Sequence, residues 1–342
     1  MLGYSLGDSD MSSDFQRFKG ARVLITGGLG FIGSTLAIKL VELGADVTII
    51  DSLIPDYGGN FWNIESIRDQ VRVNVSDVRD PHSMRYLIQK QEYLFNLAGQ
   101  TSHLDSMQDP YTDLEINARA QLSILEACRH HNPEVKLVFA STRQLYGAPQ
   151  YLPVDEKHPL HPVDVNGINK LAGEWYHLVY NNVYGIRASV LRLTNTYGPR
   201  MRIKDARQTF LGIWVRRLIE GNKLQIFGDG SQLRDFNYVD DVVDALLVSA
   251  LSDKANGQIF NLGAVPTISL LDLAVKLTRF IGREDLYECI PFPPERKVID
   301  IGDYYADYHK AGDILHWQPQ IDLDEGLQRT MDYYRDHIAH YV

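Results

Sequence analysis

From Arg22 onward, short apolar runs alternate with longer segments whose apolar residues recur at helical spacing. Residues 22–26, 45–50, 71–75, 93–97, 136–140 and 187–193 read as strands. They are rich in Val, Ile and Leu and do not alternate with polar residues, so both of their faces are buried. That is the pattern of a parallel sheet covered by helices on each side. Helical patterns occupy 31–43, which stops at Gly44, and then 110–130 and 167–181, while Asp80-Pro81 opens a further helix. After Thr194 the rhythm becomes irregular, interrupted by loops at 197–200, 228–231 and 291–294. The expected organisation is a loose polar extension over 1–20, an α/β domain over 21–193, and a smaller C-terminal α/β lobe over 194–342.

Charge and cysteine count narrow the function. The 342 residues carry 34 Lys and Arg against 44 Asp and Glu, a net charge of −10 with no basic run. A nucleic-acid binder needs concentrated cations to displace phosphate counterions, so that class is excluded. Cys128 and Cys289 are too few for a disulfide framework and fit a reducing, cytoplasmic setting. No export signal and no apolar run of about 20 residues is present, so no membrane partner is expected. His130 and His131 lie together at a helix end without acids at ligand spacing, and no metal site is expected.

Thr26-Gly27-Gly28-Leu29-Gly30-Phe31-Ile32-Gly33 links the first strand to the first helix. Glycines three apart permit a tight turn at Gly27, close approach of a pyrophosphate at Gly30, and tight helix packing at Gly33. The helix N-terminus then offers free N–H groups to the anion. Asp51, at the end of the second strand, stands where a carboxylate accepts bonds from the adenosine ribose. It would repel a 2′-phosphate, which favours NAD over NADP. Asp77 and Val78, just past the third strand, are placed to meet the adenine, although Asp77 also fits a helix cap.

Further segments occur in a characteristic order: FNLAGQ at 95–100, EIN at 115–117, STRQLYG at 141–147, NKLAGE at 169–174, RLTNTYGPR at 192–200, FGDGSQLRDFNYVDDVV at 227–243 and DYYADYHKAGDILHWQP at 303–319. With these the chain resembles the extended short-chain dehydrogenases/reductases, the family of nucleotide-sugar epimerases and dehydratases, over about residues 21–335. The resemblance implies a Rossmann-like, doubly wound parallel sheet carrying NAD and a C-terminal lobe binding a nucleotide diphosphate sugar. It implies chemistry that begins with hydride transfer from a sugar carbon. It also implies cofactor contacts from Phe31, Ile32, Leu97, Ala98, Gly99, Asn117 and Lys170, and substrate diphosphate contacts from Asn195 and Arg234. Relatives pair two helices with their twofold mates, so a homodimer is expected, with Trp175, Tyr176 and Val179 suited to the surface.

In this family a Ser or Thr and a Tyr-x-x-x-Lys carry the proton transfer. Thr142 and Lys170 match, but the tyrosine position holds Asn166. An amide has no accessible basic form. His103, in a loop that faces the substrate in relatives, is a candidate substitute, as are His161 and Tyr146. The dehydratase acids that follow the Thr are replaced by Arg143-Gln144. That disfavours dehydration and decarboxylation, while Arg143 suits a carboxylate or phosphate of the substrate. An NAD-dependent epimerase is the leading expectation. The alternatives are a catalytically reduced NAD- and nucleotide-sugar-binding protein, or a dehydratase or decarboxylase with an atypical base.

Overall fold

The computed structural model describes residues 14–55 and 57–342. The six apolar runs, joined by a seventh segment that the pattern does not mark, Ile259–Asn261, become the seven strands of one parallel sheet. These are β1 (Arg22–Thr26), β2 (Asp46–Asp51), β3 (Arg72–Val75), β4 (Tyr93–Asn96), β5 (Lys136–Thr142), β6 (Arg187–Leu193) and β11 (Ile259–Asn261), in the order β11-β6-β5-β4-β1-β2-β3. Every neighbouring pair is parallel. Val23, Ile25, Phe95 and Val138 fill the core on one face, and Leu24, Leu94, Leu137 and Phe139 fill it on the other.

Helix α1 (Phe31–Glu42) joins β1 to β2, and α2 (Pro81–Leu87) lies between β3 and β4. Asp80 caps α2 by accepting from the His82 and Ser83 N–H groups. The predicted single helix over 110–130 is three pieces: α4 (Pro110–Leu114), a π turn at Glu115–Arg119, and α5 (Ala120–His131). A shorter helix, α3 (His103–Gln108), precedes them. One inserted residue leaves the apolar spacing on either side intact, so periodicity does not reveal it. Helix α6 (Val165–Tyr184) is capped by Asp164 and ends at Gly185 in a left-handed conformation. Its Glu174 forms a buried ion pair with Arg192 of β6, at 2.7 Å, which ties helix to sheet.

The second lobe holds three two-stranded pairs. β7 (Asn195–Tyr197) pairs with β10 (Phe236–Tyr238), β8 (Leu224–Phe227) with β13 (Tyr287–Ile290), and β9 (Leu233–Arg234) with β12 (Ile268–Ser269). Helix α7 (Phe210–Ile219) buries Trp214 and Leu218 in the separate core of this lobe, beside Tyr197, Leu277, Leu327 and Tyr334. The chain does not divide cleanly at residue 193, however. Beyond it, helix α8 (Val239–Leu251) returns to share a core with α1, and β11 completes the main sheet at the outer edge of β6.

The start of the described chain corrects another expectation. Residues 14–20 are not a loose extension. Phe15 and Phe18 are buried in the sheet's core, Phe18 lies 4.9 Å from the Tyr93 ring, and Arg17 donates to the Leu251 carbonyl. Two aromatics three residues apart anchor a turn whose composition otherwise reads as polar. The rest of the predicted extension, 1–13, lies outside the described residues. Among the described residues no helix is long and apolar enough to cross a membrane, and no group of three or more His, Cys, Asp or Glu is placed to hold a metal.

Candidate functional site

A cleft of about 920 Å³ runs from the glycine loop, across the C-terminal ends of β1, β4 and β5, into the second lobe. The sheet order reverses between β1 and β4, which is where open parallel sheets bind ligands.

At its first end, Gly27 turns with φ +71° and Gly30 is the N-cap of α1, with no side chain supplying a capping bond. The first amides of α1 are left for an anion. A Cβ on Gly33 would stand 2.2 Å from the Gly27 carbonyl oxygen, so the loop's own backbone, rather than the sheet, demands glycine there. The Asp51 carboxylate accepts from the Leu29 N–H at 3.1 Å and the Leu53 N–H at 2.9 Å. Burial pushes its carboxyl above the ordinary range, and those two bonds hold it partly down. Each oxygen keeps a lone pair for a hydroxyl. Asp77 is not the cap of α2, a role Asp80 fills. It holds Arg79 at 2.6 Å, and although burial raises its carboxyl, the Arg79 bonds outweigh that and lower it. Phe31, Ile32 and Val78 complete this end. These residues fit the adenosine and pyrophosphate of a dinucleotide.

In the middle of the cleft stand Leu97, Ala98, Gly99, His103, Thr142, Asn166 and Lys170. The Lys170 ammonium donates to the Ala140 carbonyl at 3.2 Å and lies 5.0 Å from the Phe139 ring centre. Burial brings it down to about 8 against the attraction of Asp113 and Glu174. A Cβ on Gly99 would come within 2.8 Å of this nitrogen, so glycine keeps its place open. Thr142 Oγ accepts from the Gln144 N–H at 3.2 Å, which leaves the hydroxyl proton to donate.

Asn166 is 2% exposed, and its amide is spent on scaffold. It donates to the Gln100 carbonyl at 2.7 Å and to Asp113 at 3.0 Å. Asp113 is fully buried and also accepts from Asn117 at 3.0 Å and Asn169 at 2.8 Å. Asn117 therefore sits one layer behind the cleft wall, in this carboxylate cage. His103 Nδ1 lies 2.9 Å from Oδ2 of Asp164, the cap of α6. His161 is exposed and does not line the cleft. Tyr146 is buried, bonded to Asn261 and Arg192 at 2.7 Å each, and burial pushes its phenol up to about 12. Neither can serve as the base.

At the far end Arg143, Asn195 and Arg234 converge. Arg143 Nη2 donates to Asn195 Oδ1 at 3.0 Å, and its guanidinium lies 5.1 Å from the Tyr304 ring centre. Its Nη1 is shielded from solvent and has no hydrogen-bond partner among the described residues. Burial pushes the guanidinium below its ordinary range, against the attraction of Tyr304, Asp235 and Asp300. Arg234 donates to the Leu233 and Gly302 carbonyls and lies 3.7 Å from Asp300. Burial, with the charge of Arg143, brings it down to about 10. Two crowded cations with spare donors suit a diphosphate or another anionic ligand group.

Sequence reasoning missed Asp164, Asp113 and Gln100. Asp164 carries the local signal of an N-cap three residues before Gly167, but nothing local shows that it also faces His103.

Comparison with known proteins bears on the chain as a whole. Residues 23–263 match the model of the NAD dependent epimerase/dehydratase family. The chain is 36% identical over 317 residues to a putative UDP-glucose 4-epimerase of Methanocaldococcus jannaschii, covering 92% of this chain and 98% of that protein. Among solved structures, UDP-glucose 4-epimerase from Thermotoga maritima with UDP-glucose superposes with a TM-score of 0.85 at 31% identity, covering 93% of this chain and 99% of that one. The Thermus thermophilus UDP-glucose 4-epimerase complex with NAD gives 0.82 at 29% identity, covering 92% and 99%.

Proposed function

The chain belongs to the NAD-dependent epimerase/dehydratase family, and from that premise we propose that it is an NAD-dependent nucleotide-sugar epimerase acting on a nucleoside diphosphate hexose. The observation that carries this reading is one continuous cleft. It joins a dinucleotide cradle to a pair of arginines, with Thr142 and Lys170 between them. NAD, when bound, accepts a hydride from a sugar carbon and returns it.

The chain's own groups prepare that exchange. Asp51 holds the adenosine ribose and the α1 amides hold the pyrophosphate. Lys170 donates to the nicotinamide ribose. Thr142 donates to the sugar oxygen, which stabilises charge as that oxygen loses its proton. Asn195, Arg143 and Arg234 hold the substrate diphosphate end. Epimerisation needs no further acid, and the two residues after Thr142 are Arg143 and Gln144. Gln144, the second residue of the pair that is acidic in dehydratases, is buried and donates to Asp164 at 3.1 Å. This supports epimerisation over dehydration or decarboxylation.

The protein works as a homodimer in the cytoplasm. On α6, Ile168, Trp175, Val179 and Val183 are exposed within one face of the helix, and Tyr111 and Leu114 of α4 are exposed on the helix packed against it. A second copy of this chain covers that stripe. Both described cysteines are unpaired, as a reducing compartment requires.

The test is to incubate the protein with UDP-glucose, UDP-galactose and their N-acetylamino counterparts and follow the C4 epimer by NMR. Interconversion is expected for at least one pair. A protein that binds these nucleotides but interconverts none would be a binding protein instead.

A further inference from the structure

Asn166 leaves the proton-transfer step without its family base, and His103 on the cleft wall offers a replacement. We propose that His103 is the general base of the reaction and that Asp164 is its positioning residue. This rests on the epimerase reading above.

His103 stands on the cleft wall with Thr142, Asn166 and Lys170. The imidazole is 37% exposed, yet Nδ1 itself is shielded from solvent and lies 2.9 Å from Asp164 Oδ2. The ring's exposed part therefore lies away from Nδ1, and His103 lines the cleft, so Nε2 is the nitrogen left for a ligand. The Nδ1–H is not yet aligned on the carboxylate, a common state of a catalytic contact before substrate tightens it. Asp164 is suited to the task. Its side chain is 0% exposed and is fixed by the Gly167 N–H at 2.7 Å and the Gln144 amide at 3.1 Å. Burial raises its carboxyl, but the contacts with His103, Gly167 and Gln144 outweigh this and hold it below the usual range. It stays ionised at neutral pH and selects the Nδ1–H tautomer, leaving Nε2 free to accept.

The backbone of His103 is held just as firmly. Ser106 Oγ donates to the His103 carbonyl at 2.7 Å and accepts from the Asn166 N–H at 3.2 Å. The helix turn that lacks a tyrosine is thus the same turn that fixes the histidine. In the forward step the substrate O–H bond would break to His103 Nε2 and a C=O bond would form, with bound NAD supplying the acceptor for the hydride on the same carbon. When the hydride returns to the opposite face, the imidazolium gives its proton back to that oxygen. Proton and hydride balance over the cycle, and no other reagent is consumed.

The experiment uses the NAD-loaded protein with UDP-glucose and UDP-galactose. His103→Gln is expected to lower kcat by about 10²–10⁴-fold while UDP affinity by calorimetry stays within about threefold. Asp164→Asn keeps a capping side chain, so the helix start survives. It is expected to lower kcat with little change in KM. In ¹⁵N-histidine-labelled protein, the resonance pair missing from His103→Gln should report an Nδ1–H, bare-Nε2 imidazole, and Asp164→Asn should shift it toward the other tautomer. Turnover of His103→Gln within about threefold of an active wild type would overturn the base assignment and leave the epimerase reading standing. A wild type that interconverts neither this pair nor its N-acetylamino counterparts would overturn both. An unchanged His103 tautomer in Asp164→Asn would remove Asp164 from its role.

Discussion

Arg143 is a sharp place to separate binding from folding, because its buried Nη1 has no hydrogen-bond partner among the described residues. Replacing it with Met keeps an unbranched apolar stem of similar reach. The variant loses the 3.0 Å bond to Asn195, worth about 1 kcal/mol, and the contact with the Tyr304 ring, worth about 0.5–1 kcal/mol. Against that, an Nη1 with neither partner nor solvent costs about 1–3 kcal/mol, and desolvation of the charge adds to it. The ligand-free Arg143→Met protein is therefore expected to be as stable as wild type or more stable by about 1 kcal/mol in urea unfolding. Its affinity for UDP-glucose should fall by about ten- to 150-fold, the loss of about 1.5–3 kcal/mol from a charge-assisted contact. Calorimetry with UDP alone then locates the contact. An equal loss for UDP assigns Nη1 to the diphosphate, and an undiminished UDP affinity assigns it to the sugar. A variant that unfolds more than about 1 kcal/mol more easily yet binds UDP-glucose as wild type does would refute the reasoning.

Lys170→Met should reveal a pH-dependent term. The folded ammonium loses its proton near pH 8 and the unfolded one near 10.5, so the unfolded chain binds the extra proton between them and stability rises with pH across that window. Relative to Lys170→Met, wild type should gain on the order of 3 kcal/mol from about pH 7.5 to about 10.5 in urea unfolding, and a flat difference would contradict the burial argument. Asp51→Ala should weaken NAD at least about tenfold and narrow its advantage over NADP in fluorescence titrations, since the acid proposed to meet the ribose also holds the Leu29 and Leu53 amides. Comparable NADP and NAD binding by wild type would contradict it. Trp175→Glu with Val179→Glu should yield a monomer by sedimentation velocity, and an unaltered sedimentation coefficient would remove the α6 stripe from the interface.

The sheet and the glycine loop were legible because their signals are local. Unalternating Val, Ile and Leu mark buried strands, and Thr26 to Gly33 carries its turn chemistry in eight consecutive residues. The π turn was not legible, because its one inserted residue leaves the flanking periodicity unchanged. Phe15 and Phe18 were hidden by the Ser, Asp and Gly around them, since composition averages away two anchors. At the site, the substitution at Asn166 was plain from spacing to Lys170, but its consequence was not. The contact between His103 and Asp164, and the bonds from Asn166 and Asn169 to Asp113, join segments far apart in sequence. Such pairs arise only when the loop after β4 folds against the start of α6.

The late return of β11 and α8 bears on how the molecule is made. While the ribosome has issued only the segment up to Leu193, β6 presents a bare row of amides and carbonyls, and α1 lacks part of its apolar cover. The nascent sheet stays adhesive until residue 261 has emerged. A fragment ending at 193 should therefore aggregate rather than fold alone, and a cofactor half prepared by itself would have to carry 239–261 with it. The same braid joins the two cores through more than one crossing of the chain, an arrangement that favours a cofactor kept in place through many turnovers.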